Sequence, residues 1–360
     1  MRRLYVQGGR QRKALFKTHH EWTAYDAAVI LELDLETGGS RVCVEYATPR
    51  HAQTEEASII FKSATLRGNH LYTCTSTEVL IYQLPQFALV SYVSLPCFND
   101  LHHVCPTPEG DLLAANTGLD MVLEFTREGK VLREWNVLGE DPWEHFSRDI
   151  DYRQVFTTKP HRSHPNYVFY LGEDIWVTRF EQKDAVCLTR PGGRIAIGLE
   201  RVHDGHVHGN WIYFTTVDGT VILVDRKTLQ VSATVDLKCI SNNGREPLGW
   251  CRGLCIEDEF KVWAGFGRLR HTRFKQNLNW VRYALGRLEK PTHIALYDLA
   301  ARQCLQEIDL EARGMNAVFG IFPALESGLE QDREAERTHH QRADGALTAE
   351  PSPKPVSTAP

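Results

Sequence analysis

Short apolar runs recur along this chain with a regular spacing, and each is closed by a polar turn. MVLEF (121–125), VLIYQL (79–84) and VILVDR (221–226) are rich in β-branched and aromatic residues and predict strands. The turns TREGK (126–130) and DRKTL (225–229) have the composition of hairpin connections. Three longer copies of the pattern can be superimposed, at residues 63–95, 102–138 and 206–237. Each reads as a strand, a Gly turn, a strand, a small polar loop, a strand, a polar turn and a final strand. The period, roughly 40 residues, is that of a propeller blade. Residues 164–199 and 251–310 are less regular copies, and residues 25–47 are a partial one. The isolated apolar segment MNAVFGIFPAL (315–325) has the right size to complete the first blade. Such closure joins the chain ends and removes exposed sheet edges. The expectation is an all-β, six-bladed β-propeller over residues 21–325, with seven blades as the alternative.

Two insertions interrupt the repeat. Residues 139–159 lie between the third and fourth blades and carry Trp143, His145, Phe146 and Tyr152. Residues 267–291 split the last copy, and Trp280, Tyr283, Ala284 and Leu288 fall on one side of a helical wheel, which predicts a helical lid. Propeller topology places both insertions on the face where the innermost strands begin. Outside the repeat, residues 1–20 read as a basic N-terminal arm. Residues 326–360 are charged, then Pro/Ser-rich, and read as a disordered tail.

Histidines supply the candidate chemistry. His102 and His164 each stand eight residues before a turn glycine, Gly110 and Gly172, and His203 stands six before Gly209. Equivalent positions on successive inner strands converge on the central channel. Three imidazoles meeting there suit a divalent metal with an open coordination position, zinc, iron or copper. On this reading His102, His164 and His203 are the metal ligands. His103, His206 and His271 are the candidate proton-transfer groups. His161, Asp100 and Asp204 are candidates to orient them. A lone strand histidine is more often a satisfied structural residue; the coincidence in three consecutive repeats is what favours a site.

Composition narrows the class. Hydrophobic residues at 42% and charged residues at 24% are ordinary for a globular chain. A net charge of −5 gives no general attraction to nucleic acid or anionic membrane. No apolar run is long enough to span a bilayer, and the basic N-terminus lacks the apolar middle of a secretory signal. The nine cysteines are scattered without a CxxC pair, as expected for small buried hydrophobes in a reducing, cytoplasmic compartment. No GxSxG, HExxH or Walker motif is present, and GFGRLR does not open a helix after a strand as a dinucleotide fingerprint would.

The stretch DLHHVCPTPEGDLLAANTGLDMVLEFTREGKVLREW resembles an NHL-type propeller repeat, a class shared by six-bladed enzymes of the gluconolactonase, amidating-lyase and streptogramin-lyase kinds. The GH…WD signature of WD40 proteins is absent. Within the resembling enzymes, amidating lyases hold one zinc with inner-strand histidines from separate blades, an arrangement that His102, His164 and His203 match in kind. Gluconolactonase-type enzymes use carboxylates and Asn on a calcium-like ion instead, and arylsulfotransferase-like propellers use a channel histidine as nucleophile. The resulting expectation is a metal-dependent hydrolase or lyase acting on a small polar molecule, an anionic one included given the arginines of 267–291. The alternative is a non-catalytic propeller scaffold that binds a protein partner.

Overall fold

The computed structural model describes residues 1–13, 23–242, 247–268 and 290–325. They form six four-stranded antiparallel sheets. From channel to rim, blade 1 consists of Ala317–Pro323, Arg3–Gln11, Tyr25–Asp34 and Ser40–Tyr46. Blade 2 is Thr65–Arg67, His70–Cys74, Val79–Gln83 and Ala88–Val93. Blade 3 is Leu101–Pro106, Leu112–Asn116, Met121–Phe125 and Val131–Asn136. Blade 4 is Pro165–Leu171, Asp174–Arg179, Asp184–Cys187 and Arg194–Ala196. Blade 5 is Val202–His208, Trp211–Thr216, Thr220–Asp225 and Val231–Asp236. Blade 6 is Trp250–Ile256, Lys261–Gly267, His293–Asp298 and Gln303–Asp309. The described residues therefore form a six-bladed propeller.

The last strand closes the ring. Ala317–Pro323 pairs antiparallel with Arg3–Gln11, from Leu4↔Pro323 to Gly9↔Ala317. Residues 3–11 are thus part of the first blade and not of a basic arm. Alternation explains the difference: Leu4 and Val6 face one neighbouring blade and Tyr5 the other, all buried, while Arg3 and Arg10 sit near the strand ends with carboxylate partners. Counting the arginines alone hides that pattern. Among the described residues the one α-helix is Leu237–Asn242. The helical lid, with His271, lies outside the described residues, as do residues 14–20 of the arm and the tail after 325. No described helix is long and apolar enough to cross a membrane.

Apolar cores lie between blades, where neighbouring sheets pack face to face. Trp176, Ile195, Ile212 and Phe214 fill the seam of blades 4 and 5; Tyr213, Phe266 and Tyr297 that of blades 5 and 6. Each such fully buried side chain contributes about 1.5–3 kcal/mol of transfer free energy. At the rim, acidic residues shape the hairpins. Asp225 Oδ1 accepts the backbone N–H groups of Lys227 (2.9 Å) and Thr228 (2.7 Å), and Asp34 does the same for Glu36 and Thr37 at 3.0 and 2.8 Å. The repeated Asp-x-x-Thr is the sequence trace of that turn.

Candidate functional site

Innermost strands of blades 3 and 4 begin with the same irregularity. The residue before each, Asp100 and His164, adopts a left-handed backbone with φ of 46° and 60°. Each strand then slips register against its neighbour, between Leu101 and His103 in one and between Pro165 and Val168 in the other. The bulges turn side chains toward the channel. They also fix the correspondence between blades: Asp100 matches His164, His102 matches Asn166, and His103 matches Tyr167. His102 and His164 are therefore neighbours in space but not equivalents in the repeat. Distance to the turn glycine misleads because the hairpin loops differ, five residues in blade 3 (107–111) and two in blade 4 (172–173).

His102 is buried and ties blade 2 to blade 4. Asn166 Nδ2 donates to Val202 O at 3.0 Å, so its Oδ1 faces His102 Nδ1 at 2.6 Å and assigns the imidazole proton to Nδ1. That leaves the Nε2 lone pair beside the Lys62 ammonium at 3.4 Å. Lys62 also donates to Asp100 Oδ1 at 3.0 Å, and both groups are nine-tenths buried. Burial lowers the His102 pKa to about 4, with Lys62 adding to the effect, so the ring is neutral at pH 7. Burial alone would raise the Asp100 pKa, but Lys62 and His102 outweigh it and hold the carboxyl well below the ordinary carboxylate value.

Next to this group lies a histidine pair that sequence reasoning placed only at the margin. His161 Nδ1 and His164 Nδ1 are 2.7 Å apart, the spacing of two imidazoles sharing one proton. His161 Nε2 meets Thr158 Oγ1 at 3.2 Å. The loop that carries the pair is anchored on Asp120, whose carboxylate accepts the backbone N–H groups of Arg162, Ser163 and His164 at 2.8, 3.0 and 2.7 Å. One ligand-type atom each from Asp100, His161 and His164 lies within 4.8 Å of the others. Burial, reinforced by His102 and His161, keeps the His164 pKa well below its usual value. Two imidazoles and a carboxylate are a donor set that fits zinc, iron or copper.

The three histidines aligned from the sequence do gather here. Ring centroids of His102 and His164 are 4.7 Å apart and those of His102 and His203 are 6.5 Å apart, with Phe180 between His164 and His203 at 4.8 and 5.5 Å. His203 does not join the tight group of Asp100, His161 and His164. Its Nε2 is buried and without a hydrogen-bond partner among the described residues.

The expected proton-transfer groups are placed differently. His103 is fully buried and has both ring nitrogens engaged: Val168 N–H donates to Nδ1 at 3.2 Å, and Nε2 meets Thr65 Oγ1 at 3.1 Å. Its ring stacks on Tyr167 at 3.6 Å. Burial drives its pKa down to about 3. His206 follows in the same stack, 3.5 Å from Tyr167 Oη and 3.5 Å from Asp204, whose other oxygen accepts from Thr215 Oγ1 at 2.5 Å. Neither histidine shares a described contact with the pair at 161 and 164.

Above the site, the 139–159 insertion is stapled to blade 3. Asn99 Nδ2 donates to the carbonyls of Tyr152 and Val155, both at 2.8 Å. Arg153, Val155, Phe156 and Thr157 line a pocket together with Lys62, Asp100, Arg252 and Phe319. Trp143, Phe146 and Tyr152 instead pack into the apolar seam of blades 2 and 3, and exposed His145 reaches Glu140 at 3.5 Å. A broader groove around Asp218, Thr234 and Ile240 lies at the rim of blade 5, among residues apart from the histidines.

No protein-family model matches the sequence, and no curated protein matches it. Solved structures share the fold. A Bacteroides caccae protein of unknown function aligns over 91% of this chain and 100% of its own at 12% identity, with a TM-score of 0.58. A chain of the nidogen/laminin complex aligns over 90% and 98% at 10% identity and TM-score 0.52. A streptogramin B lyase structure aligns over 85% and 88% at 10% identity and TM-score 0.45. At these identities the likeness is one of fold alone.

Proposed function

We propose that this propeller is a metal-dependent hydrolase or lyase that acts on a small polar molecule at the channel mouth. The observation that supports it is the gathering of Asp100, His161 and His164 donor atoms within 4.8 Å, beside the neutral His102 and under a pocket. In this reading Asp100, His161 and His164 replace the trio of His102, His164 and His203 as ligands of a zinc, iron or copper ion. A bound ion would supply polarisation of a carbonyl or acidification of a hydroxyl or water. His102 would offer the substrate the Nε2 lone pair that meets Lys62 at 3.4 Å. A base with a pKa of about 4 accepts only a strongly acidified proton, so its chemistry and that of the ion belong together. Lys62 would hold His102 and Asp100 in register, and residues 153–157 would limit water access.

The test is metal uptake by the full chain. Titration with zinc should saturate at one equivalent, and His161→Ala or His164→Gly should abolish the tight phase while the far-ultraviolet circular dichroism is unchanged. A wild-type chain that takes up no zinc, iron or copper would overturn the metal reading. The scaffold reading is supported by the likeness to a chain found in a protein complex and by exposed apolar residues on the outer strands, among them Leu89, Val90 and Leu132. A scaffold would keep its partner in His164→Gly.

A further inference from the structure

Six side chains, one from each blade, ring the channel mouth at or just before the inner strands: Lys62, His102, Asn166, His203, Arg252 and Phe319. Their chemistry is lopsided. Arg252, Phe319 and Lys62 come from consecutive blades 6, 1 and 2. The Arg252 guanidinium carbon lies 4.5 Å from the Phe319 ring centroid and Lys62 Nζ lies 5.3 Å from it. Arg252 also sits 5.2 Å from the Trp250 ring. Ring faces help hold these cations in place through their quadrupoles, and Lys62 also pairs with the Asp100 carboxylate at 3.0 Å on the same pocket. Both cations are buried and border the pocket. His203, from the adjoining blade 5, feels both charges, and its buried Nε2 has no hydrogen-bond partner among the described residues.

We propose that this arc is an oxyanion subsite: Arg252 and Lys62 take the carboxylate or phosphate of the small molecule, and His203 Nε2 supplies a further hydrogen bond. The inference rests on the reading of the mouth as a small-molecule site, and it names the substrate class as a small organic acid or phosphate ester. Its physical basis is independent of a metal. Two cations against one carboxylate, Asp100, leave the arc with an excess of positive charge, and a buried imidazole nitrogen without a partner costs free energy until a ligand meets it.

Calorimetric titration of the full chain at low salt, with benzoate and separately with inorganic phosphate, tests it. Wild-type protein should bind at least one of them with a dissociation constant below about 10 mM. Arg252→Gln should weaken that binding by at least ~10-fold, because a bidentate charged fork is lost. Zinc uptake by the same variant should be unchanged, since its ligands are untouched. If Arg252→Gln does not fold, Arg252→Lys serves, with an expected several-fold loss that is greater for planar benzoate than for phosphate. Preference between the two anions tells the carboxylate class from the phosphate class. Absence of binding by wild type overturns the proposal, as does binding that Arg252→Gln leaves intact. Anion binding lost in His164→Gly but kept in Arg252→Gln overturns it too, since the anion would then sit on the metal. Anion binding without zinc uptake would retain the subsite and remove the metal reading.

Discussion

His102 and His103 are consecutive residues of one strand, and each ties blade 2 to blade 4. His102 runs from Lys62 to Asn166, and His103 runs from Thr65 to Val168. Both are buried, and both have pKa values pushed far below 6.5, to about 4 and about 3. By burial and pKa alone they are indistinguishable. They differ in their surroundings. His103 meets a hydroxyl and a backbone N–H, whereas His102 Nε2 meets a buried ammonium at the edge of a pocket, with two more imidazoles close by. The lesson is that a perturbed pKa marks a desolvated group, and a cluster of charged and ligand-type groups beside a pocket marks a candidate site.

The strongest way to break this comparison is to delete each ring. His103→Ala removes a fully buried imidazole, orphans the Val168 N–H and unstacks Tyr167. It should cost about 3 kcal/mol in urea unfolding. A loss under about 1 kcal/mol would mean that His103 is not the structural member of the two.

On the channel side the corresponding change should spare stability and remove function. His164 holds φ of 60°, a conformation that glycine adopts without strain. His164→Gly should therefore leave the melting temperature within a few degrees of wild type while metal affinity falls at least ~100-fold. Equal loss of stability in His164→Gly and His103→Ala would erase the distinction between channel and bridge.

How far the sequence reached follows the same division. The blades were legible because strand alternation and hairpin turns are local, and MNAVFGIFPAL was legible as the closing strand because its apolar length had no partner nearby. The segment Arg3–Gln11 was missed because its arginines outweighed the apolar alternation of Leu4 and Val6. The neighbourhood of His102, His164 and His203 was legible from their repetition. Their register was not, since loop lengths in blades 3 and 4 differ and the bulges leave no composition signature. His161 was named only as a group to orient a ligand imidazole, and its pairing with His164 was missed. The signal that marks it is the HRSH spacing: two histidines three apart around a turn pinned by Asp120.

Acid titration sharpens the comparison further. In the unfolded chain His103 takes up its proton near pH 6.5, and in the fold only near pH 3. Between those values the unfolded state binds more protons, so the stability that neutral His103 contributes is complete above pH 6.5 and is lost as pH falls toward 3. Its share of the slope is at most about 1.4 kcal/mol per pH unit. His103→Gln, whose amide can accept from Val168 N–H and donate to Thr65 without titrating, should flatten the pH dependence of unfolding between pH 6 and about 4 by up to that amount. An unchanged slope would place the acid sensitivity in the other buried histidines.

The smallest expected effect concerns the tautomer of His102. Asn166 is fixed by its own donation to Val202 O, and its carbonyl oxygen then selects Nδ1–H on His102. This leaves the Nε2 lone pair to accept from Lys62 at 3.4 Å. Asn166→Ala removes the selection at a cost of about 1 kcal/mol in stability. Nitrogen-15 imidazole spectra should show one Nδ1–H tautomer for His102 in wild type and a mixture in the variant. Asn166→Asp should retain the Nδ1–H tautomer and raise the His102 pKa above about 4, because a carboxylate favours the imidazolium. A variant at 166 that leaves the tautomer unmixed would show that Lys62 and Asp100 alone orient the ring, and that the blade 4 contact only positions it.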